Sequence, residues 1–311
     1  MNRPTEGIID PATHIGSVTL AIASLERSLS FYEQVLGFHV IENSGKVAVL
    51  GTTTGVPLLA LIEQEHAQPQ PARTTGLYHF AILVPSRTDL ARSLYHLAAS
   101  SYRLDGYADH LVSEALYLSD PDGNGIEIYR DRPRDTWRWN TGQIRMASDP
   151  IDIEGMLEEG RHSPSEWAGL APQTMIGHMH LRVADIQQAR TFYGDLLGFA
   201  TTAQMPGALF ISAGGYHHHL GLNTWQSRNA PRPAPDTVGL RFFTIQLPDQ
   251  AALQQVQARL QAANIPVEQL DTSLALRDPW GNGILLTTST ALSGEQMRQS
   301  SLSTLATLSV K

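Results

Sequence analysis

The chain contains no cysteine among its 311 residues. Disulfides, thiolate metal sites, iron–sulfur clusters and a cysteine nucleophile are therefore excluded, and any metal must sit on His, Asp or Glu. Basic charge is scarce: 22 Lys and Arg face 30 Asp and Glu, a net charge of −8. The one dense basic run, Arg130-Asp131-Arg132-Pro133-Arg134, is interrupted by an acid, so a nucleic-acid or polyphosphate partner is not expected. Long apolar runs are missing as well. No stretch approaches the roughly 18 residues of a membrane-spanning helix, and residues 1–13 lack the apolar heart of a secretion signal, so cytoplasmic residence is expected. What remains, 42% hydrophobic and 17% charged, is the composition of a soluble globular protein with two domains' worth of core.

Repeats organise that core. LERSLSFYEQVLGF at 25–38 echoes IQQARTFYGDLLGF at 186–199, and SDPDGNGIEIY at 119–129 echoes RDPWGNGILLT at 277–287. The two halves are duplicates, 12–130 and 175–290, joined by a segment at 131–174 and followed by a tail at 291–311 that is expected to be peripheral. Within each half a strand-like stretch followed by a helix-like one occurs twice, at 15–38 and 77–98, then at 176–199 and 239–262, giving four units. Ser24 and Asp185 suit helix N-caps, and Gly37 and Gly198 suit the residue beyond the C-terminus. Leu25, Leu29, Tyr32 and Leu36 keep helical spacing between them. Runs at 47–50 and 58–62 read as strands of a meander. Asp120-Pro121-Asp122-Gly123 reads as the turn between the last two strands of unit two. The joining segment carries a helix signal near 151–159. Each unit is thus read as strand, helix and three strands.

HFAILVPSRTDL, SDPDGNGIEIY, IGHMHLRVADIQQARTFYGDLLGF and GGYHHHLGLN together resemble the vicinal oxygen chelate superfamily, over about residues 12–290. That resemblance implies an α+β fold of four βαβββ modules forming two open β-barrel cups. The segments GYADHLVSEALYLSDPDGNGIEIY and AGGYHHHLGLN resemble extradiol dioxygenases, in particular a group of small bacterial catechol 2,3-dioxygenases that act in aromatic hydrocarbon catabolism. The implied partners are a small aromatic diol and O2, and the implied cofactor is Fe(II), with Mn(II) or another divalent metal in its place as a variant. A homo-oligomer stays open.

In this superfamily metal ligands come from the first and last strands of the modules. The aligned first-strand positions are Ser17, His79, His178 and Phe242, and the last-strand positions in units two and four are Glu127 and Leu285. Only units two and three carry ligand types there. His79, Glu127 and His178 compose the two-His-one-carboxylate set of non-haem Fe(II) enzymes. Such a site requires unit two to pair with unit three. Consecutive pairing would instead need His14, which lies three residues before Ser17. Taken singly, His79 on an apolar strand reads equally as a hydrogen-bonded core residue, and Glu127 as a solvent-facing one.

The resemblance also implies an acid–base role for His218, in Tyr216-His217-His218-His219-Leu220-Gly221. Strand alternation would put His217 and His219 on one side and His218 on the other, with the register uncertain by one; a plain surface cluster is the rival reading. Tyr117, ten residues before Glu127, and His110 match residues that hydrogen-bond substrate or oxygen. A glyoxalase-like metal-dependent isomerase and a non-catalytic module that binds aromatic ligands are the competing functions. The first would want a fourth protein ligand, and the aligned position in unit three falls near Leu220, which is none.

Overall fold

Ser24, Ser86, Asp185 and Asp249 each end an extended stretch and accept, through the side chain, the backbone N–H three residues on. This shared N-cap, each instance contributing about 1 kcal/mol, starts the helix of all four units. The computed structural model describes residues 8–163 and 167–289; the tail expected from 291 onward lies outside them.

Unit one comprises β1 (His14–Ile22), α1 (Leu25–Ser30), β2 (His39–Asn43), β3 (Val47–Gly51) and β4 (Pro57–Glu63). Unit two comprises β5 (Gly76–Leu83), α2 (Arg87–Ala99), β6 (Gly106–Asp109), β7 (Ser113–Ser119) and β8 (Gly125–Asp131). The joining segment forms a short hairpin, β9 (Trp139–Asn140) with β10 (Gln143–Ile144), and α3 (Ile153–Arg161), which packs on α2. Unit three comprises β11 (Met175–Arg182), α4 (Ile186–Ala189), β12 (Ala200–Met205), β13 (Ala208–Ser212) and β14 (Leu220–Asn223). Unit four comprises β15 (Gly239–Gln246), α5 (Gln250–Ala262), β16 (Glu268–Leu270), β17 (Ser273–Arg277) and β18 (Gly283–Thr287).

The helices of units one and three are shorter as α-helix than their periodicity predicts. Each widens into a π-turn, Phe31–Val35 and Arg190–Leu196, before closing at Gly37 and Gly198, both at positive φ. Phe31, Tyr32, Phe192 and Tyr193 are all buried, so two consecutive aromatics serve the core in each widened turn.

Two eight-stranded sheets result, in the orders β16-β17-β18-β15-β1-β4-β3-β2 and β12-β13-β14-β11-β5-β8-β7-β6. Each takes one unit from each half of the sequence: one with four, and two with three. In every unit the first strand runs parallel to the last, and the two units of a sheet meet through antiparallel first strands. Period-two alternation then sorts the central side chains. Val18, Leu20, Phe80, Ile82, Met179, Leu181, Phe243 and Ile245 enter one large shared core. The intervening residues, including His79, His178, Thr19 and Phe242, line the opposite, concave faces.

Candidate metal centre and active site

Glu127 is held between strands: it stands directly across from Tyr117 on β7 and from Ala81 on β5. Its Oε2 receives two imidazoles. His178 Nε2 makes a directed hydrogen bond at 3.0 Å, and His79 Nε2 comes within 2.9 Å without the alignment of a hydrogen bond. One donor atom from each of the three lies within 4.8 Å of the others, and all three side chains are buried. Burial pushes the Glu127 carboxyl upward, but His178 and His79 beside it outweigh that and hold it well below the usual carboxylate range. Burial lowers His79, the neighbouring carboxylate opposing it, which favours the neutral imidazole that ligates. Two imidazole nitrogens aimed at one buried carboxylate oxygen, one of them without a directed bond, fit a divalent cation. His14 does not compete: it lies at the start of β1 in the other sheet, opposite Gln246.

A fourth histidine was not anticipated. His180 stands directly across from His79 on the central strand pair, its ring centroid 4.9 Å from that of His79. Its Nε2 accepts from the Asn223 amide at 3.0 Å. Burial, then His79 and His178, push it well below the ordinary histidine range. The signal was available: His178 and His180 are two apart on one strand and so share a face. Opposite His180 on β14 stands Gly221, the unit-three counterpart of Glu127, one residue beyond the expected Leu220. A Cβ there would lie 2.9 Å from the His180 ring, so the histidine occupies the space where a fourth ligand would project.

Residues 217–219 are not on a strand. They form a bent segment entering β14, so the alternation argument fails and all three rings are buried. His218 is the one against the triad, 4.2 Å from His178 between ring centroids and 5.1 Å from Phe210. Burial first, then the surrounding histidines, push His218 well below the ordinary range. His217 turns to Asp131, and His219 accepts from the Ala213 backbone N–H at 3.1 Å.

His110 and Tyr117 act as a pair. His110 Nδ1 lies 2.6 Å from the Ala147 carbonyl, which only accepts, so that nitrogen carries the hydrogen. The other nitrogen then accepts from the Tyr117 hydroxyl at 2.6 Å. Tyr117 is raised well above its ordinary pKa, by burial and then by Glu127. A tight turn with Leu111 at positive φ, braced by the Asp109 side chain on the Leu111 N–H, presents His110 to β7.

Residues 14–128 and 175–286 match the family model of the glyoxalase/bleomycin resistance protein/dioxygenase superfamily. The chain belongs to this superfamily. A relative from Bacillus subtilis (strain 168), the protein called catechol-2,3-dioxygenase, is 47% identical over 271 residues, covering 86% of this chain and 94% of the relative. Among solved structures, a putative dioxygenase from Bacillus subtilis subsp. subtilis str. 168 matches with a TM-score of 0.61 at 13% identity, over 92% of this chain and 86% of that one. Glyoxalase I from Zea mays matches with a TM-score of 0.55 at 12% identity, over 94% and 98%. At such identities the structural likeness speaks for the superfamily fold alone.

Seen within the superfamily, the second cup is plugged. Phe242 and Leu285 stand at its ligand positions, and Ala60, across from Thr19, takes the place of Glu127 in unit one. Phe242, Leu285 and Ala60 pack with Val49 and Ala275 into a small apolar cluster. Ser17 is spent on Thr244, whose hydroxyl accepts its backbone N–H at 2.6 Å. Glu63, an acid near this cup, accepts the Leu25 N–H at 2.9 Å and so helps start α1. No helix among the described residues is long and apolar enough to cross a membrane.

Proposed function

We propose that this chain is an extradiol dioxygenase, which opens the ring of catechol or a substituted catechol beside its two hydroxyls and incorporates both atoms of O2. His79, Glu127 and His178 would hold Fe(II), with Mn(II) as the alternative occupant. The observation that carries this reading is the three-donor cluster of His79, Glu127 and His178, with Gly221 at the fourth position and His180 beside it engaged by the Asn223 amide. Three protein donors leave room for the two oxygens of a diol and for O2, whereas a glyoxalase-type isomerase favours a fourth. The 47% identical relative named catechol-2,3-dioxygenase supports it independently.

When bound, the metal supplies open positions for diol and O2 and a route for electrons between them. The protein supplies the rest. His218, kept neutral by burial, takes the proton of a diol hydroxyl as the substrate binds and returns it later in the reaction. The Tyr117 hydroxyl, which gives its hydrogen to His110 and stands beside Glu127, would hydrogen-bond the substrate or oxygen. Phe210 offers the aromatic ring an apolar wall beside His218 and belongs to a buried cluster with Val112, Trp137 and Tyr216 that keeps water from this side.

Purification without oxygen, loading with Fe(II) and addition of catechol under air test the proposal. One O2 consumed per catechol, with a ring-opened product carrying both oxygen atoms, is expected. A fully loaded protein that takes up no oxygen with catechol or alkyl- or halo-catechols, or that isomerises a thiol adduct of an α-ketoaldehyde, would overturn it.

A further inference from the structure

Asp131 follows Glu127 by four residues on β8, so alternation sets Glu127, Tyr129 and Asp131 on one face of the strand. Its Oδ1 lies 2.9 Å from His217 Nε2 and accepts from the Tyr216 hydroxyl at 3.1 Å. Tyr216 in turn is 2.7 Å from the Tyr129 hydroxyl, which must donate, because the Tyr216 hydrogen goes to the carboxylate. Further along, His217 Nδ1 is 2.8 Å from His218 Nδ1. His217 is fully buried, and the Asp131 side chain is 25% exposed. The chain of contacts therefore runs from the rim of the protein to the base beside the metal ligands.

Counting hydrogens along it leaves little freedom. An ionised carboxylate only accepts, so His217 Nε2 carries a hydrogen. A neutral imidazole has one N–H, which leaves a lone pair on His217 Nδ1. Two Nδ1 atoms at 2.8 Å need one hydrogen between them, and it must then come from His218. An imidazole without partners favours hydrogen on Nε2, so this contact reverses the default. A His217 protonated on both nitrogens would do the opposite, donating to His218 Nδ1 and leaving the hydrogen on its Nε2.

We infer that Asp131 is a positioning residue that, through His217, holds His218 in the Nδ1–H tautomer and so leaves Nε2 free to take the substrate proton. This deepens the proposed function, because it rests on His218 as the acid–base residue. Outer partners that fix a histidine tautomer are worth roughly 10–100-fold in activity.

The test uses the full chain loaded with diamagnetic Zn(II) and labelled with 15N-histidine. Two-bond 1H–15N spectra read the tautomer, with His218 assigned as the signal lost in His218→Gln. Wild type is expected to show hydrogen on His218 Nδ1. In Asp131→Leu no acceptor remains for the His217 Nε2–H, so His217 can carry its hydrogen on Nδ1 and donate it to His218, and His218 should move towards Nε2–H. The Fe(II) form of that variant should lose roughly 10–100-fold in kcat, with KM for catechol and metal content within about twofold of wild type. His217→Phe, which removes the acceptor but keeps an aromatic ring against Tyr129 and Trp137, should release His218 to Nε2–H as well, and carries the test if Asp131→Leu does not fold. Nε2–H in the wild type, or Nδ1–H unchanged in the variants, overturns the inference. Absence of catechol-dependent oxygen uptake in wild type would instead strike the dioxygenase reading, and the spectra would still decide the tautomer.

Discussion

The Tyr32 hydroxyl donates to Asp120 Oδ2 at 2.9 Å, joining the helical segment of unit one in one sheet to the last turn of unit two in the other. Tyr193 repeats the bond to Asp278 at 2.8 Å, from unit three to unit four. Each carboxylate also accepts the backbone and side-chain N–H groups of an asparagine, Asn124 or Asn282. The two recurring motifs of the sequence are thus opposite ends of one tie, made twice.

Tyr32→Phe leaves a buried Asp120 oxygen short of a donor. Loss of about 1–3 kcal/mol is expected in urea unfolding, with the same range for Tyr193→Phe. A loss below about 0.5 kcal/mol in both would mean that the ties add little.

Burial first, then the adjacent carboxylate, raise Tyr32 and Tyr193 well above their ordinary pKa. A group whose folded pKa exceeds its unfolded value, about 10 for tyrosine, contributes stability that is complete below that value and is lost as pH rises through the folded one. Stability should therefore fall above about pH 10. A pH series followed by tyrosinate absorbance and circular dichroism should show these two ionising only together with unfolding. Their ionisation in a chain of native dichroism would contradict this.

Metal content should be about one equivalent per chain, since an apolar cup cannot replace the water shell of a cation. His178→Ala should lose the metal on dialysis and His14→Ala should keep it. Elemental analysis showing two tightly held equivalents, or the reverse pattern in the variants, would place the site wrongly.

His218→Ala should retain the metal and lower turnover by roughly 10²- to 10⁴-fold. Equal loss of metal and turnover would make His218 a ligand or a packing residue instead.

Gly221→Ala sets a methyl 2.9 Å from the His180 ring. The ring must shift within a packed cup, so destabilisation of about 1–3 kcal/mol is expected in urea unfolding. Wild-type stability in this variant would show that His180 has room to move.

The four units were legible because Phe-Tyr, Leu-Gly-Phe and Asp-Pro-x-Gly-Asn-Gly recur at matched spacing, and the converging trio because strand positions can be aligned across units without knowing the fold. The caps Ser24 and Asp185 were legible for the same local reason, while Ser86 and Asp249 were found only in the structure. His180 escaped because its counterpart in unit two is Ala81, so comparing units for ligand types passed over it; alternation from His178 would have found it. Asp131 escaped because the reading of β8 ended short of it, assigning it to the joining segment. The histidine run was misjudged because β14 starts only at Leu220, and a bend has no alternation to exploit. The π-turns left no trace, since apolar spacing of three and four residues fits both kinds of helix.

The crossed arrangement of units governs how the chain reaches its native state. As the polypeptide leaves the ribosome, β5 has no partner on its inner edge until β11 emerges, and β1 must wait for β15, near the end of the described residues. Pairings so distant along the chain close slowly. Meanwhile each waiting strand exposes a bare, largely apolar edge, the kind of surface that draws chains together. A nascent chain halted before β11 therefore carries two bare edges, β1 and β5, whereas one halted before residue 239 has closed the sheet of the metal site and leaves β1 waiting, so the need for a chaperone should be greatest before β11 emerges.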